Sequence, residues 1–347
     1  MATMMQRFVL AARPVGAPRT SDFRLETLPL PACPAGGVVV QVLWQSLDPY
    51  MRSRMNAEPG YSDSVRIGQV MIAGGVGRVI ASDAAGLAPG DIVQGLFGWA
   101  THAAVPAAGL RKIDPDLAPL QAHLGPLGLT GFTAWHGLNG IGRPRPGETI
   151  VVSAASGAVG SIVGQLARRQ GLRVVGVAGG AEKCRHVVRD LGFDACVDHR
   201  AAPDAQTLRA DLARACPGGV DIYFENVGGK TLDAVLPLMN LGGRIPICGM
   251  ISQYNSSGAA QGPDRLPQLW RELLFRRLTA SGFIISDHYD RFPDFLAEVA
   301  PLVQAGSLVW KEWIVDGIEA APQAFIDMLD GRNFGKTLVR MAPVAAG

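Results

Sequence analysis

A strand pattern, a glycine-rich turn and a helix pattern follow one another in residues 149–170, TIVVSAASGAVGSIVGQLARRQ. Residues 149–153 are mostly apolar and β-branched and predict a buried strand, whereas residues 158–170 predict a helix. Within that helix the apolar residues recur at intervals of three and four, which places them on one face: Val159, Ile162, Val163, Leu166 and Ala167. The segment therefore predicts a strand that turns directly into an amphipathic helix.

The turn between them has the pattern A-x-G-x-x-G, formed by Ala155, Gly157 and Gly160. In a dinucleotide-binding turn the first of these glycines lets the backbone approach a pyrophosphate, and the second lets the helix pack close to the strand. The helix N-terminus then directs N–H groups and its positive dipole end at the phosphates. By itself the pattern also fits a structural turn, but the strand before it and the helix after it favour a nucleotide site.

Strands and helices alternate after this turn. Strands are predicted at residues 173–177, 195–197, 220–224 and 244–248. Helices are predicted at residues 182–191, 205–215, 231–239, 265–277 and 294–304. Because the strands are almost wholly apolar, this alternation predicts a parallel, doubly wound α/β sheet.

The beginning and the end of the chain have a different pattern. Short β-branched segments bounded by Pro and Gly turns occur at residues 38–44, 77–81 and 91–97, and they predict a small, irregular β-barrel or sandwich. Residues 309–314 and 336–341 return to a strand-like composition. We expect them to rejoin the first domain.

The end of the second predicted strand bears on which dinucleotide is bound. NAD sites place an acidic residue about 20 positions after the glycine turn, where it binds the ribose hydroxyls. Residues 178–181 are instead Ala-Gly-Gly-Ala, with Lys183 close behind. Lys183 is placed to pair with a 2′-phosphate, and a solvated helix residue is the alternative interpretation. We therefore predict NADP(H) as the cofactor.

Composition excludes several classes of protein. Of 347 residues 48% are hydrophobic and 18% charged, the reverse of a disordered chain, and no apolar run reaches the roughly 18 residues of a membrane helix. A net charge of +2 provides no general attraction for nucleic acid or an anionic membrane. Five cysteines without a CxxC pair favour free thiols and a cytoplasmic location. Between Cys33 and His102 there is no other cysteine or histidine, so we expect no catalytic metal.

Six segments in order carry a family resemblance: residues 48–52 (DPYMR), 128–134 (GLTGFTA), 153–165 (SAASGAVGSIVGQ), 220–229 (VDIYFENVGG), 248–255 (CGMISQYN) and 333–337 (NFGKT). With them nearly the whole chain resembles the medium-chain dehydrogenase/reductase superfamily. Within it, the chain is similar to the zinc-independent branch of prostaglandin reductases, leukotriene hydroxydehydrogenases and curcumin or 2-alkenal reductases. The resemblance implies a GroES-like β-barrel domain at residues 1–125, completed by residues 310–347, and a Rossmann NADP-binding domain at residues 126–309.

The resemblance also implies roles for individual residues. Tyr50 and Tyr254 would be catalytic and face the substrate carbonyl, and the substrate would contact both, together with Arg52 and Trp135. The cofactor would be bound at the glycine turn, at the ends of later strands and by the tail: Gly157, Ala158, Val159, Gly160, Ser161, Gly180, Lys183, His199, Asn226, Cys248, Gly249, Ile251, Ser252, Tyr254, Phe283, Ile284, Ile285 and Asn333. Trp135 and His199 depart from the pattern, since relatives often have tyrosine near those positions.

Several of these residues have a purely structural interpretation as well. Tyr50 and Tyr254 also fit half-buried aromatic residues with a satisfied hydroxyl. Cys248 also fits a small buried apolar residue, and Asn333 fits a cap of its glycine-flanked turn.

The implied activity is NADPH-dependent reduction of the C=C bond of α,β-unsaturated ketones and aldehydes. Hydride would pass to the β-carbon, and Tyr254 would stabilise the resulting enolate. The alternatives are quinone reduction, an alcohol dehydrogenase activity, or a non-catalytic NADP(H)-binding protein. The resemblance further implies a homodimer, with the apolar residues 278–285 as a contact segment. Residues 53–67 and 253–263 are rich in Gly, Ser, Asn and Pro, which favours loops that close over the site.

Overall fold

A computed structural model describes residues 4–58, 60–256 and 264–341 of the chain. The chain divides into two compact units, one formed by residues up to Gly125 together with those from Glu312, and the other by Pro126–Lys311. Of the two loops expected to close over a site, Pro59 in the first and residues 257–263 in the second lie outside the described residues. No helix in the described ranges is long and apolar enough to cross a membrane.

Secondary structure covers most of the described chain. The strands are β1 Met4–Leu10, β2 Phe23–Pro29, β3 Gly37–Ser46, β4 Gly74–Ser82, β5 Ile92–Leu96, β6 His102–Pro106, β7 Arg111–Lys112, β8 Thr149–Ser153, β9 Arg173–Ala178, β10 Ala195–Asp198, β11 Val220–Phe224, β12 Met239–Ile247, β13 Thr279–Gly282, β14 Glu312–Asp316 and β15 Lys336–Arg340. The α-helices are α1 Tyr50–Ser53, α2 Leu129–His136, α3 Gly160–Arg169, α4 Ala181–Arg189, α5 Ala205–Ala215, α6 Gly229–Val235, α7 Leu266–Arg276, α8 Phe292–Gln304 and α9 Ala321–Leu329. Short 3₁₀ helices lie at Thr20–Asp22, Leu120–Leu124, Leu236–Leu238, Ile251–Gln253, Ile285–Arg291 and Ile318–Ala320, and a π-helical turn at Gly137–Gly142.

The first unit is built on a mainly antiparallel sheet with the strand order β14-β15-β3-β4-β5-β7, and β6 adds to it by pairing with β3. Because β15 pairs with β3, the end of the chain is part of this sheet. Aromatic rings pack the core beside it: Phe23 stacks on Trp99 with ring centroids 5.1 Å apart, and Phe325 of α9 meets Trp99 edge-on at 5.5 Å.

The second unit contains a sheet with the order β10-β9-β8-β11-β12-β13, in which every neighbouring pair is parallel. This is the Rossmann order, in which the strands progress in opposite directions from the middle of the sheet. Ile150, Val151 and Val152 of β8 are fully buried, as expected for a strand covered by helices on both faces. The α/β class, with a doubly wound parallel sheet and a separate antiparallel unit, is confirmed.

The boundaries of some elements differ from the predicted ones. The helix expected from residue 158 begins at Gly160, because the residues before it form the turn. The helix expected at residues 231–239 ends at Val235 and continues as a 3₁₀ turn, and Met239 already begins β12. Pro237 lies in that turn and lacks the N–H that would continue the α-helix.

Candidate functional site

The predicted cofactor residues of the second unit follow the carboxyl ends of its strands. The glycine turn follows β8, Gly180 and Lys183 follow β9, and His199 follows β10. Residues 226, 248–254 and 283–285 follow β11, β12 and β13 in the same way. Since all six strands are parallel, these segments lie at one edge of the sheet, where open α/β sheets bind their ligands.

Close backbone contact shapes the glycine turn. Ala154 adopts a left-handed φ of 49°, so the chain turns sharply after β8. A Cβ on Gly160 would lie 2.4 Å from the Ala154 carbonyl oxygen and 3.0 Å from the Ala155 Cα. Only glycine therefore lets α3 begin directly against the strand. In its first turn the Ser161 N–H donates to the Gly157 carbonyl oxygen at 3.0 Å, and the Val163 N–H donates to the Val159 carbonyl oxygen at 3.0 Å. This cradle fits a pyrophosphate, and it brings the predicted residues 157–161 together; their contact with the cofactor stays a prediction.

Backbone hydrogen bonds order the end of β9. Gly180, at a φ of 98°, donates its N–H to Asp198 Oδ1 at 2.8 Å, and the Arg200 N–H donates to the same oxygen at 2.9 Å. Although burial raises it, these hydrogen bonds hold the pKa of Asp198 below its ordinary value. The Asp198 carboxylate is thus hydrogen-bonded by backbone N–H groups at the ends of β9 and β10. The sequence prediction did not include Asp198.

Basic side chains lie close together at the end of β9. A Cβ on Gly179 would lie 2.9 Å from both His199 Nε2 and Arg200 Nε. Burial lowers the pKa of Lys183, and the nearby Arg200 lowers it further. Burial and the neighbouring Lys230 likewise lower the pKa of His199. A cluster of cationic side chains at the end of β9 fits a 2′-phosphate group, which supports the NADP(H) prediction on the structure itself.

Arg200 and Lys230 were not predicted from the sequence. The Lys230 ammonium donates to the His199 and Ala202 carbonyl oxygens, each at 2.7 Å, and so ties the start of α6 to the segment after β10. Lys183 follows β9 and Arg200 follows β10, so the pairing of these two strands brings them together. Lys230 follows β11 and lies beside His199. In the sequence, Arg200 and Lys230 are each a basic residue shortly after a predicted strand. That position is the signal from which they could have been predicted.

A buried polar network joins the ends of β8 and β11. The Asn226 N–H donates to Ser153 Oγ, and the Asn226 Nδ2 donates to the Ser153 carbonyl oxygen, both at 2.8 Å. Glu225 Oε1 accepts from Ser153 Oγ at 3.1 Å and from the Val227 N–H at 2.7 Å. Burial raises the pKa of Glu225. Asn226 is therefore held rigidly at the sheet edge, and Ser153 and Glu225 are supporting residues that the sequence prediction missed.

The segment after β12 is bonded to the segment after β11. The Cys248 and Gly249 N–H groups donate to the Glu225 carbonyl oxygen at 2.9 and 3.1 Å, and Ser252 Oγ donates to the Val227 carbonyl oxygen at 2.6 Å. Burial raises the pKa of the Cys248 thiol to about 12, so the thiol stays protonated near neutral pH. Its observed hydrogen bond is through the backbone, and the residue is half-buried; its contact with the cofactor stays a prediction.

Tyr254 follows the 3₁₀ turn Ile251–Gln253. Its hydroxyl oxygen accepts a long hydrogen bond from the Met250 N–H at 3.4 Å, and a Cβ on Gly249 would lie 3.1 Å from that oxygen. Burial raises the pKa of Tyr254, which keeps the hydroxyl protonated. The side chain is only half-buried, so it combines a proton to donate with access to solvent.

Other predicted residues of the second unit contact its helices. The Phe283 ring packs against His136 with centroids 5.6 Å apart, and Ile284 and Ile285 are half-buried beside it in the chain. Trp135 is buried, and its indole Nε1 donates to Glu298 Oε2 of α8 at 2.6 Å. The Arg291 guanidinium lies over the Trp135 ring at 5.5 Å. Trp135 thus has structural partners, and its contact with substrate stays a prediction.

The predicted site residues of the first unit make hydrogen bonds and packing contacts within that unit. Arg52 is 1% exposed and donates to the Gly16 carbonyl oxygen and to Asn56 Oδ1 at 2.8 and 2.7 Å; burial lowers its pKa. Tyr50 is partly buried against the aromatic core. Asn333 Nδ2 donates to the Gly335 carbonyl oxygen at 3.0 Å, as a turn cap would. Their roles toward substrate and cofactor stay predictions. Among the described residues, no three His, Cys, Asp or Glu side chains are grouped as metal ligands would be.

Comparisons with known proteins identify the family of the chain. Residues 6–113 match the family described as the N-terminal domain of oxidoreductases, and residues 158–301 match the family described as zinc-binding dehydrogenases. The NADPH-dependent curcumin reductase of Escherichia coli is 48% identical over 338 residues, 97% of each chain. The NADP(+)-dependent 2-alkenal reductase of Nicotiana tabacum is 41% identical over 94% of each chain.

A solved structure, CurA from Vibrio vulnificus in complex with NADPH, is 44% identical and superposes with a TM-score of 0.92 over 97% of this chain and 99% of that one. The agreement covers both units and the order in which they occur along the chain. The protein therefore belongs to the branch of the medium-chain dehydrogenase/reductase superfamily that contains the prostaglandin, curcumin and 2-alkenal reductases.

Proposed function

We propose that this protein reduces the C=C bond of α,β-unsaturated ketones and aldehydes with NADPH. The observation that carries the proposal is the sheet edge where the glycine cradle at Gly160 and the cationic corner around Lys183 and Arg200 follow neighbouring strands. The cradle suits a pyrophosphate, and the cations suit a 2′-phosphate. The names of the relatives, which reduce curcumin and 2-alkenals with the same cofactor, support an enone substrate.

Tyr254 is the proposed hydrogen-bond donor to the substrate carbonyl. NADPH, when bound, supplies the hydride that adds to the β-carbon of the alkene. Negative charge then develops on the carbonyl oxygen, and the protonated Tyr254 hydroxyl donates a hydrogen bond to it. Because burial raises the Tyr254 pKa, that hydroxyl remains a donor throughout the neutral pH range. The α-carbon takes its proton from Tyr254 or from water, which completes the addition of two hydrogens across the double bond.

The remaining residues would position the reactants. Asn226, Cys248, Gly249, Ile251 and Ser252 would support the nicotinamide side through the backbone bonds between the segments after β11 and β12. We propose residues 126–309 as the NADP-binding domain and residues 1–125 with 310–347 as the substrate domain, to which the predicted site residues Tyr50, Arg52 and Asn333 belong. Tyr50 would act as a second donor to the substrate.

An NADPH oxidation assay with a panel of short enones, enals, quinones and aldehydes tests the proposal. We expect the wild type to turn over enones and enals. Tyr254→Phe should lower kcat by roughly 100-fold with little change in KM, because it removes one hydrogen-bond donor to the transition state. Tyr289→Phe is the matched control, since that ring lies against Phe132 and should keep full activity. Tight NADPH binding without turnover of any acceptor would overturn the proposal.

The choice of cofactor has its own test. Lys183→Ala should raise the KM for NADPH by at least about tenfold, because it removes one bond to a charged group, and should leave the KM for NADH nearly unchanged. Lys112→Ala is the control, since that lysine pairs with Asp91 in the other unit. Equal losses with both cofactors would contradict the 2′-phosphate assignment.

We further propose a cytoplasmic homodimer. Strand β13 is an edge of the parallel sheet in the described structure, and beside it along the chain α7 exposes Trp270, Leu274 and Phe275 at 62, 71 and 59%. An apolar face next to an open sheet edge is typical of a contact between subunits. The free thiols of the five cysteines suit a reducing compartment. Sedimentation equilibrium of the wild type and of Trp270→Glu tests the assembly, and a monomeric wild type would refute it.

A further inference from the structure

Two thiols lie in contact, one directly after Lys183 and the other two residues before Asp198 in the chain. Cys184 belongs to the first turn of α4 and Cys196 to β10, and their sulfur atoms are 3.0 Å apart, with the Cys196 thiol donating to the Cys184 sulfur. Both side chains are half-buried rather than enclosed. A disulfide needs an S–S distance of about 2.05 Å, so the two sulfurs have to approach by only about 1 Å when an oxidant removes two electrons and two protons from the pair.

We propose that Cys184 and Cys196 are an oxidation site: a glutathione-type disulfide converts them into an intramolecular disulfide that weakens NADPH binding. The oxidation itself depends only on the two thiols. Its effect on the cofactor rests on the proposed function.

The hydrogen bond between the two thiols gives them different roles in thiol–disulfide exchange with the small disulfide. The hydrogen bond from Cys196 lowers the pKa of Cys184 and raises that of Cys196, so Cys184 is the attacking thiolate. It displaces one thiolate from the small disulfide and forms a mixed disulfide. The Cys196 sulfur, after losing its proton, attacks the Cys184 sulfur and releases the second thiolate. One protein disulfide and two small thiols result, and the protein has lost two protons and two electrons.

The position of the pair explains the effect on the cofactor. Cys184 directly follows Lys183, and its N–H donates to the Gly180 carbonyl oxygen at 3.1 Å. Cys196 lies two residues before Asp198, which accepts the Gly180 N–H. A covalent bond between the two cysteines therefore pulls the first turn of α4 toward β10. That movement changes the position of the Lys183 ammonium relative to His199 and Arg200, so the three side chains no longer match one 2′-phosphate and one bond to it is lost.

Thiol mapping tests the oxidation. The reduced full-length protein is incubated with glutathione disulfide, alkylated under denaturing conditions and digested, and we expect a cross-linked peptide pair containing Cys184 and Cys196. Cys184→Ser and Cys196→Ser should each abolish it, whereas Cys33→Ser, the control, should retain it. Absence of the cross-link in the wild type would overturn the proposal.

Fluorescence titration with NADPH tests the consequence. The oxidised wild type should bind NADPH at least about tenfold more weakly than the reduced protein, as for loss of one bond to a charged group, and dithiothreitol should restore the affinity. The two serine variants should bind equally with and without oxidant. A disulfide that leaves the affinity unchanged would refute the regulatory effect. If the reduced protein neither binds NADPH nor reduces enones, the proposed function fails while the thiol map still decides the oxidation.

Discussion

The buried ion pair between Lys336 and Asp48 should make a large contribution to the stability of the first unit. The Lys336 ammonium lies 2.5 Å from Asp48 Oδ1 and 3.1 Å from the Leu47 carbonyl oxygen, and the two charged side chains are 3 and 10% exposed. Ser46 Oγ donates to the other carboxylate oxygen. The pair joins the returning strand β15 to the segment that leads into Tyr50, so its loss affects both packing and the proposed site.

Lys336→Met removes the ammonium and keeps a side chain of similar length. The Asp48 carboxylate then stays buried with Ser46 as its remaining side-chain donor. Removing one partner of a buried pair costs about 3–5 kcal/mol, which corresponds to roughly two to three and a half orders of magnitude in the folding equilibrium. Asp48→Asn should also destabilise, because it leaves the ammonium buried. The double variant Lys336→Met with Asp48→Asn should lose less stability than the two single variants lose together, because it leaves neither charge buried.

Urea unfolding followed by circular dichroism measures these differences as a double-mutant cycle. Arg340→Met is the matched control on the same strand: Arg340 pairs with Asp316 at the surface, with side chains 43 and 67% exposed, and exposed pairs are worth about 0–1 kcal/mol. If Lys336→Met were no more destabilising than Arg340→Met, the reasoning from burial would be refuted.

The local sequence pattern was sufficient to predict the parallel sheet, but α2 and α9 were not among the predicted helices. Most residues of α2 are buried, so the helix has no polar face and no period of 3.6 residues to detect. In α9, by contrast, the helical spacing is detectable in the sequence: Ala321, Ala324, Phe325 and Met328 are buried at intervals of three and four residues.

Some residues of the candidate site could be predicted from their neighbours in the sequence, whereas others depend on contacts that only the fold creates. The glycine turn and Lys183 could be predicted because each function follows from a few neighbouring residues. Arg200 and Glu225 could not, because they acquire their partners when separate strands end at one sheet edge. Arg52 illustrates the opposite difficulty: its place in a family segment implies substrate contact, while its observed bonds connect residues 16 and 56.

Three further changes test individual contacts. Gly160→Ala would place a Cβ 2.4 Å from the Ala154 carbonyl oxygen, so we expect weaker NADPH binding in a fluorescence titration and about 1–3 kcal/mol lower stability; Gly218→Ala, which meets open space, should show neither effect. Glu225→Ala removes the side-chain acceptor of the Val227 N–H and one of the two acceptors of Ser153 Oγ, and it should cost about 1–3 kcal/mol in urea unfolding; Glu225→Gln keeps an acceptor, and equal losses would contradict the network. Burial lowers the pKa of His123 from 6.5 to about 4, so the unfolded chain takes up a proton that the folded chain does not. Stability should therefore be complete above pH 6.5 and fall by about 3 kcal/mol as the pH drops to about 4; His123→Leu should flatten the pH dependence of urea unfolding in that window, and an unchanged slope would show that other groups cause it.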